Sequence, residues 1–490
     1  MTEKEEQLYQ DRLRKLEALR KAGIDPYPAK SGRTHAVSEV LEKFSVFSKQ
    51  KKKITLAGRI RGLRKHGGIT FANLEDGTGS MQFMLREQDL GKEKFAEFET
   101  TFDIGDFIEV TGTLTETKRG EKTLLLSGFT ILAKSLRALP EQWHGLADAE
   151  IRLRKRYLDM ISNPAVREMF LKKAKFWKAL RFFLEDKGFI EVDTPVLEDK
   201  TGGADANPFV THHDALDRDF YLRISLELPL KKIIVGGFEK IYEIGKVFRN
   251  EGISPEHLQD YLGCEFYWAY ADCEELMGLV ENLYQHIARE TAGGLVTEWR
   301  GQKLDWGKKW ARLDYFELVE KETGVDLEKI SEKDLSKVAD KMGVEIEKGW
   351  GKGRMIDCIF KKKIRPKLIQ PTFLINHPIE VSPLAKRSKK LAGRVERVQV
   401  VAAGSEIGNG WSELNDPIDQ RGRFEEQMKL REEGDKEAQM MDESFVEALE
   451  YGMPPTAGFG LSERLFAILM DKPIRETVIF PPMREGKGKN

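Results

Sequence analysis

Apolar positions recur at three- and four-residue spacing over the first 22 residues, where Tyr9, Leu13 and Leu16 fall on one face. The spacing predicts a charged helix, stopped by Gly23 with Pro26 and Pro28 behind it. From Lys53 to about Ala133 the period changes to two. ITLAGRIRGL, ITFANLED, SMQFMLRE, DFIEVTGTLTE and KTLLLSGFTIL read as short strands, with DGTGS turning between the second and third. A charged helix, about Leu90 to Phe98, interrupts the series. Five strands with one interposed helix predict a small Greek-key barrel. Barrels of this size expose a strand face on which aromatic side chains stack with unpaired bases.

A stretch rich in Pro, Trp and His (ALPEQWHGLAD) reads as a linker, followed by an amphipathic stretch to Asp159. Beyond it, long helical periods mix with strand periods, the mark of a larger α+β domain. A charged helical stretch, roughly Leu327 to Lys352, reads as a surface insertion. The tail REGKGKN is expected to fray. The boundaries read from these patterns are 1–50 for a helical extension, 51–140 for the barrel and 141–488 for the large domain, with a helical insertion at about 290–365.

Composition narrows the class. The chain has 490 residues, 40% of them apolar, with 80 basic against 81 acidic side chains. Balanced charge at this apolar content argues against long disorder and against nucleic-acid binding by bulk charge alone. On the first helix, Lys4, Arg12, Arg14, Lys15, Arg20 and Lys21 leave two readings open, a solvated face or an arm for a polyanion. The three cysteines cannot build a disulfide framework and form no CxxC pair. The first residues carry no apolar signal core, and no apolar run is long enough to cross a bilayer, so a cytoplasmic protein is expected. No GxxxxGK[ST] run occurs, which excludes a P-loop. None of the eight histidines forms an HxGH element.

Three segments carry candidate chemistry. In KIYEIGKVFRNEGISPEHLQDYLGCEFYWAYAD (240–272), two strands flank a polar loop with Glu251, His257 and Tyr261. Strand pairing brings Arg249 near Glu265, with Tyr267 on the same face as Glu265. Arg249 either forks onto a phosphate or carboxylate, or pairs with Glu251 on the surface. In EIGNGWSELNDP (406–417), strict alternation puts Glu406, Gly408, Gly410 and Ser412 on one face, and Asn409, Trp411 and Glu413 on the other. Trp411 either walls a cation pocket or sits in the core. In MPPTAGFGLSERLFAIL (453–469), a glycine-lined strand leads to Arg464 at a helix start, where it can reach phosphates. Alternatively, this is an ordinary helix N-terminus with an acid favouring the dipole.

Taken in this order, the segments resemble the second and third signature motifs of class II aminoacyl-tRNA synthetases and the strand between them. FWKALRFFLEDKGFIEVDTPVLE (176–198) resembles the first motif, which in that family builds a dimer interface. TGGADANPFVTHHDALD, YLRISLELPLKK, VGGFEKIYEIGKVFRNEGIS and SEIGNGWSELNDPIDQ place the resemblance among the lysyl-tRNA synthetases. It covers about Ile54 to Arg484 and thins over the insertion. It implies a multidomain α+β chain, an OB-fold β-barrel for anticodon binding followed by a class II catalytic domain with an antiparallel sheet flanked by helices. It implies ATP-dependent activation of L-lysine, transfer to tRNA(Lys), Mg²⁺ as cofactor and a homodimer.

The same resemblance assigns roles. Arg249 and Arg464 are the catalytic arginines, on the α-phosphate with the lysine carboxylate and on the γ-phosphate. His257 faces the triphosphate, and Glu251 and Tyr261 hold the adenine. Gly203, Ala204 and Glu227 take the α-ammonium. Glu265, Tyr267 and Glu413 take the ε-ammonium as a second, separated set of acids. Asn409 assists the carboxylate, and Trp411 walls the aliphatic stem. Phe71, Gln82 and Glu121 contact the anticodon, although Phe71 taken alone reads as a core aromatic. Two acids hold the metal in the family. Glu406 matches the second, but Gln399 stands at the first and contributes no charge. The third motif is one residue short between Gly460 and Arg464, Leu258 replaces an Asn, and Gly263 a larger residue. The competing reading is an RNA-binding protein with a decayed synthetase domain.

Overall fold

A computed structural model describes residues 2–140, 148–252, 257–347, 350–434 and 438–484. Most of the expected linker, part of the loop before His257 and the tail beyond Arg484 lie outside the described residues. The chain divides into two compact units, residues 1–147 and 148–490.

In the first unit the opening helix spans Glu3–Lys21, started by a capping box between Thr2 and Glu5. It buries Leu16, Leu19 and, unexpectedly, Arg12. The Arg12 guanidinium donates to the carbonyls of Ile104 at 2.8 Å, Arg137 at 3.0 Å and Ser135 at 3.1 Å. Lys15 pairs with Asp103 at 2.6 Å. Two cations of the supposed basic face therefore hold the helix to its own unit, where a buried donor needs such acceptors.

Five strands, Ile54–His66, Ile69–Glu75, Ser80–Arg86, Phe107–Glu116 and Lys122–Ala133, close into a barrel. Alternation sends Ile54, Leu56, Leu74, Phe83 and Leu85 inward, each worth about 1.5–3 kcal/mol on burial. The single helix expected between strands three and four is two, Glu87–Leu90 and Lys92–Thr101. Gly91, at φ +84°, breaks them. Phe71 is half-buried on the outward face rather than in the core.

The second unit is built on an eight-stranded sheet. Its order across the sheet is Ala311–Asp314, Thr372–Ile375, Arg397–Ala402, Ser405–Ser412, Thr456–Ser462, Asp260–Ala269, Lys240–Phe248 and Ile190–Glu191. The sheet is antiparallel through its centre and parallel at both edges. The helices Pro164–Asp186 and Cys273–Ala292 belong to the core on one face, with Phe176, Leu180, Tyr284 and Phe459. Their starts are encoded locally: Asn163 caps with Pro164 in the first turn, and Asp272 with Glu275 forms a capping box. A second cluster, including Leu226, Tyr267, Phe424 and Phe445, packs separately.

The insertion is less helical than its composition suggests. Val296–Trp299 and Gln302–Asp305 form a hairpin, and Ala311–Asp314 joins the main sheet. Only Glu332–Lys341 is helical at the heart of the charged stretch. Three helices, Tyr315–Thr323, Glu332–Lys341 and Lys352–Ile359, share a core around Tyr315, Leu335 and Phe360.

Candidate active site

The sheet's central strands wall a cavity of about 330 Å³. Pairing of Lys240–Phe248 with Asp260–Ala269 sets Glu265 opposite Glu243 and leaves Arg249 just past a strand end. Arg249 is fixed by its own backbone N–H, which donates to the Gln259 carbonyl at 2.8 Å, and by Nε, which donates to the Ile224 carbonyl at 3.3 Å. Its guanidinium lies 5.6 Å from the Tyr261 ring centroid. The alternative Arg249–Glu251 surface pair does not form among the described residues.

Gly203, Ala204, Glu227, Arg249, Glu251, His257, Tyr261, Glu265, Tyr267, Glu406, Asn409, Trp411, Glu413 and Arg464 all line this cavity. Gln399 does not. Arg464 reaches it despite the shortened motif, donating to the Glu406 carbonyl at 3.2 Å. Trp411 is half-buried, not a core residue, and its Nε1 donates to Glu413 Oε2 at 2.8 Å. Leu258 is buried and packs with Ala467 and Ile474.

Strict alternation misplaced Glu406. The pairing of Arg397–Ala402 with Ser405–Ser412 is irregular between Val400 and Val401, so that Val400 opposes Gly408 and Val401 opposes Glu406. One residue, Ile407, is skipped, and such a bulge re-aims the neighbouring side chains. Glu406 consequently shares a face with Asn409 and Trp411, and its Oε2 accepts from Gln399 Nε2 at 2.7 Å. Gly408 and Gly410 face the helical core, where a Cβ would strike Phe459.

The acids do not form two separated sets. Lys231, at zero exposure, donates from Nζ to Glu227 Oε1 at 2.5 Å and to Glu413 Oε2. Glu265 completes the cluster. Its Oε1 accepts from Ser225 Oγ at 2.8 Å and Leu226 N at 2.9 Å, and its Oε2 from Tyr267 at 3.0 Å. Burial pushes the Glu227 and Glu413 carboxyls up, while the Lys231 ammonium draws them back down. Glu413 is therefore already engaged by Lys231 and Trp411.

Glycines supply the room. A Cβ on Gly458 would overlap Glu413 Oε1 and lie 2.5 Å from Tyr267 Cε1. Gly203 sits at φ +82°, and a Cβ there would lie 2.8 Å from Ser225 Oγ. Sequence reasoning passed over Lys231, Gly458 and Arg397, although Glu227 and Lys231 stand four apart on one helix. Arg397 also lines the cavity and donates from Nε to Asn409 Oδ1 at 3.0 Å, orienting that amide.

In the barrel, Phe71 and Gln82 share the outward face, through the pairs Phe71–Met84 and Asn73–Gln82. Thr123 Oγ1 donates to Gln82 Oε1 at 2.9 Å. Glu121 is exposed just before the Lys122–Ala133 strand. Asn73, between Phe71 and the barrel's turn, was not anticipated.

Among the described residues no group of three or more His, Cys, Asp or Glu is placed to hold a metal ion. Gln399 turns its amide nitrogen to Glu406 and keeps Oε1 buried without a partner among the described residues. Beside Gln399, Glu406 is thus the acid available to a cation.

Comparison with known proteins gives two family matches. Residues 148–484 match the tRNA synthetases class II (D, K and N), and residues 54–132 match the OB-fold nucleic acid binding domain. Relatives named lysine–tRNA ligase cover nearly the whole chain. That of Moorella thermoacetica is 45% identical over 98% of this chain and 99% of its own. Those of Carboxydothermus hydrogenoformans and Roseiflexus castenholzii are each 46% identical, over 98% of this chain and 98% and 99% of theirs.

Proposed function

The chain belongs to the lysine–tRNA ligases of the class II tRNA synthetases, and we propose that the cavity performs their first step on the residues lining it. The activity is that of a lysine–tRNA ligase: ATP activates L-lysine to lysyl-adenylate with release of pyrophosphate, and the lysyl group passes to the 3′-terminal ribose of tRNA(Lys). A decayed RNA-binding chain is not favoured.

The first step joins two anions. A lysine carboxylate oxygen attacks the α-phosphorus as the bond to pyrophosphate breaks. Charge neutralisation and in-line positioning matter more here than proton transfer. Arg249 forks between the carboxylate and the α-phosphate, and Arg464 with His257 holds the far phosphates. Tyr261 and Glu251 take the adenine. Arg397 holds Asn409 toward the carboxylate, and Trp411 flanks the aliphatic stem. The acid cluster bridged by Lys231 receives the two ammonium groups of lysine, Glu265, Tyr267 and Glu413 on the ε side and the free edge of Glu227 with the Gly203–Ala204 backbone on the α side.

The observation that carries this assignment is a single cavity lined by the acid cluster Glu227, Glu265 and Glu413 together with the arginines Arg249, Arg397 and Arg464. An aspartate side chain would meet like charge at the acidic end. ATP–pyrophosphate exchange with each amino acid in turn tests it: exchange with lysine is expected, and exchange with none, or with aspartate instead, overturns it.

Mg²⁺ fits as an ion carried by ATP, since Mg²⁺ is commonly held by one or two carboxylates plus substrate phosphates. Glu406 would hold it, and the ion would supply charge neutralisation on the phosphates. Gln399→Glu is expected to lower the Mg²⁺ concentration for half-maximal exchange roughly tenfold. A titration of exchange against Mg²⁺ reads this directly.

The barrel face takes the anticodon, with Phe71 stacking and Gln82 selecting. Phe71→Ala is expected to raise the KM for tRNA roughly tenfold, from the lost stacking. Pyrophosphate exchange, which requires no tRNA, keeps its rate. Exposed Leu171 and Phe182 on the Pro164–Asp186 helix support a homodimer. No described helix is long and apolar enough to cross a membrane, and the cytoplasm is the compartment proposed.

A further inference from the structure

Lys231 has no role in the ligase assignment, yet it is fully buried at the centre of the acid cluster. Its helix, Glu227–Val235, sets Glu227 and Lys231 one turn apart, so the ammonium lies against its own helix's carboxylate. Across the gap it meets Glu413, whose Oε2 also accepts from Trp411. The other oxygen, Glu413 Oε1, is buried with no hydrogen-bond partner among the described residues and lies in the gap left by Gly458. A buried carboxylate oxygen left unsatisfied is costly and marks the place where a donor is awaited.

Lys231 pairs with Glu227 on its own helix and Glu413 after the Ser405–Ser412 strand, and Glu265 and Tyr267 on the Asp260–Ala269 strand act in turn on those two carboxyls. Trp411 and Phe445 add only ring faces, 6.0 and 5.7 Å from Nζ to their centroids. Three carboxylates and one resident ammonium leave two negative charges. Free lysine carries two ammonium groups.

We propose that Lys231 is a specificity-determining residue, a built-in counter-cation that sets the pocket's charge to match a diamine and turns Glu413 so that Oε1 is the open acceptor. This deepens the ligase reading and rests on it. Without Lys231 the cluster carries one negative charge too many and recovers it from solvent as a proton, with which substrate then competes. The raised Glu227 and Glu413 carboxyls agree with a cluster already close to that limit.

The test is lysine-dependent pyrophosphate exchange by the full chain from about pH 6 to pH 9, across the range of the perturbed carboxyls. Lys231→Met is expected to lower kcat/KM for lysine roughly a hundredfold, with the KM for ATP changed less than about twofold. The acid limb of the lysine profile moves up by roughly one pH unit, and Lys231→Arg restores most of both effects. The double variant Glu227→Gln with Lys231→Met removes one charge of each sign. It guards against a single variant that does not fold, and its acid limb is expected at the wild-type position. An unshifted limb in Lys231→Met, equal losses for lysine and ATP, or a shifted limb in the double variant overturns the proposal. A wild-type chain inactive with lysine overturns the ligase reading itself, and an active one isolates the test to Lys231.

Discussion

Arg249→Ala is expected to reduce lysine-dependent pyrophosphate exchange roughly a thousandfold, the upper range for removing one preorganised donor from a developing oxyanion. Arg249 is half-buried, its main chain is held by the Gln259 carbonyl and its guanidinium by the Ile224 carbonyl, so it needs little reorganisation when the phosphorane forms. Arg249→Lys separates charge from shape. A point ammonium retains attraction for the α-phosphate but loses the planar fork that spans two oxygens. The lysine variant should therefore recover ATP affinity more completely than kcat. Both variants falling equally in kcat and in ATP affinity would show that Arg249 only binds nucleotide.

Glu413→Gln is the second large effect, a loss of about 2–5 kcal/mol in kcat/KM for lysine with little change for ATP. Glutamine preserves the shape beside Gly458 but removes the charge facing the ε-ammonium. It also leaves Lys231 with Glu227 as its remaining paired acid. Comparable losses for both substrates would remove Glu413 from the amine end. The same residue predicts a pH signature in the unmodified chain. Glu227 and Glu413 are pushed above the ordinary glutamate range by burial, so the native state holds more protons than the unfolded chain across that window. Their contribution to stability is consequently lost as pH rises from the ordinary range to the raised one. Bound lysine supplies the missing cation, so the rise in Tm that it produces should be larger at about pH 8.5 than at about pH 6.5. A lysine-induced shift independent of pH would contradict this.

Period-two alternation exposed the barrel strands because their inward positions, from Ile54 through Leu85, are apolar apart from Thr70. The side of the sheet on which Glu406 lies was not legible. A single skipped residue, Ile407, inverts the face, and no composition signal announces the bulge. Lys231 escaped for a different reason. An acid and a base four apart on a helix normally indicate a solvated pair, and only burial distinguishes this one. The hairpin of the insertion was hidden by charge, since Glu298, Lys303 and Asp305 read as helical surface. Phe71 required the resemblance, because a lone aromatic in a strand defaults to the core.

The opening helix has a bearing on where the barrel can be cut. Arg12 closes three main-chain oxygens, and Leu16 and Leu19 lie buried within the helix. Trimming to the first strand would uncover those oxygens and leave Asp103 with Lys134 as its remaining cation. The smallest autonomous fragment of this unit therefore begins at the helix cap, Thr2, and not at Ile54.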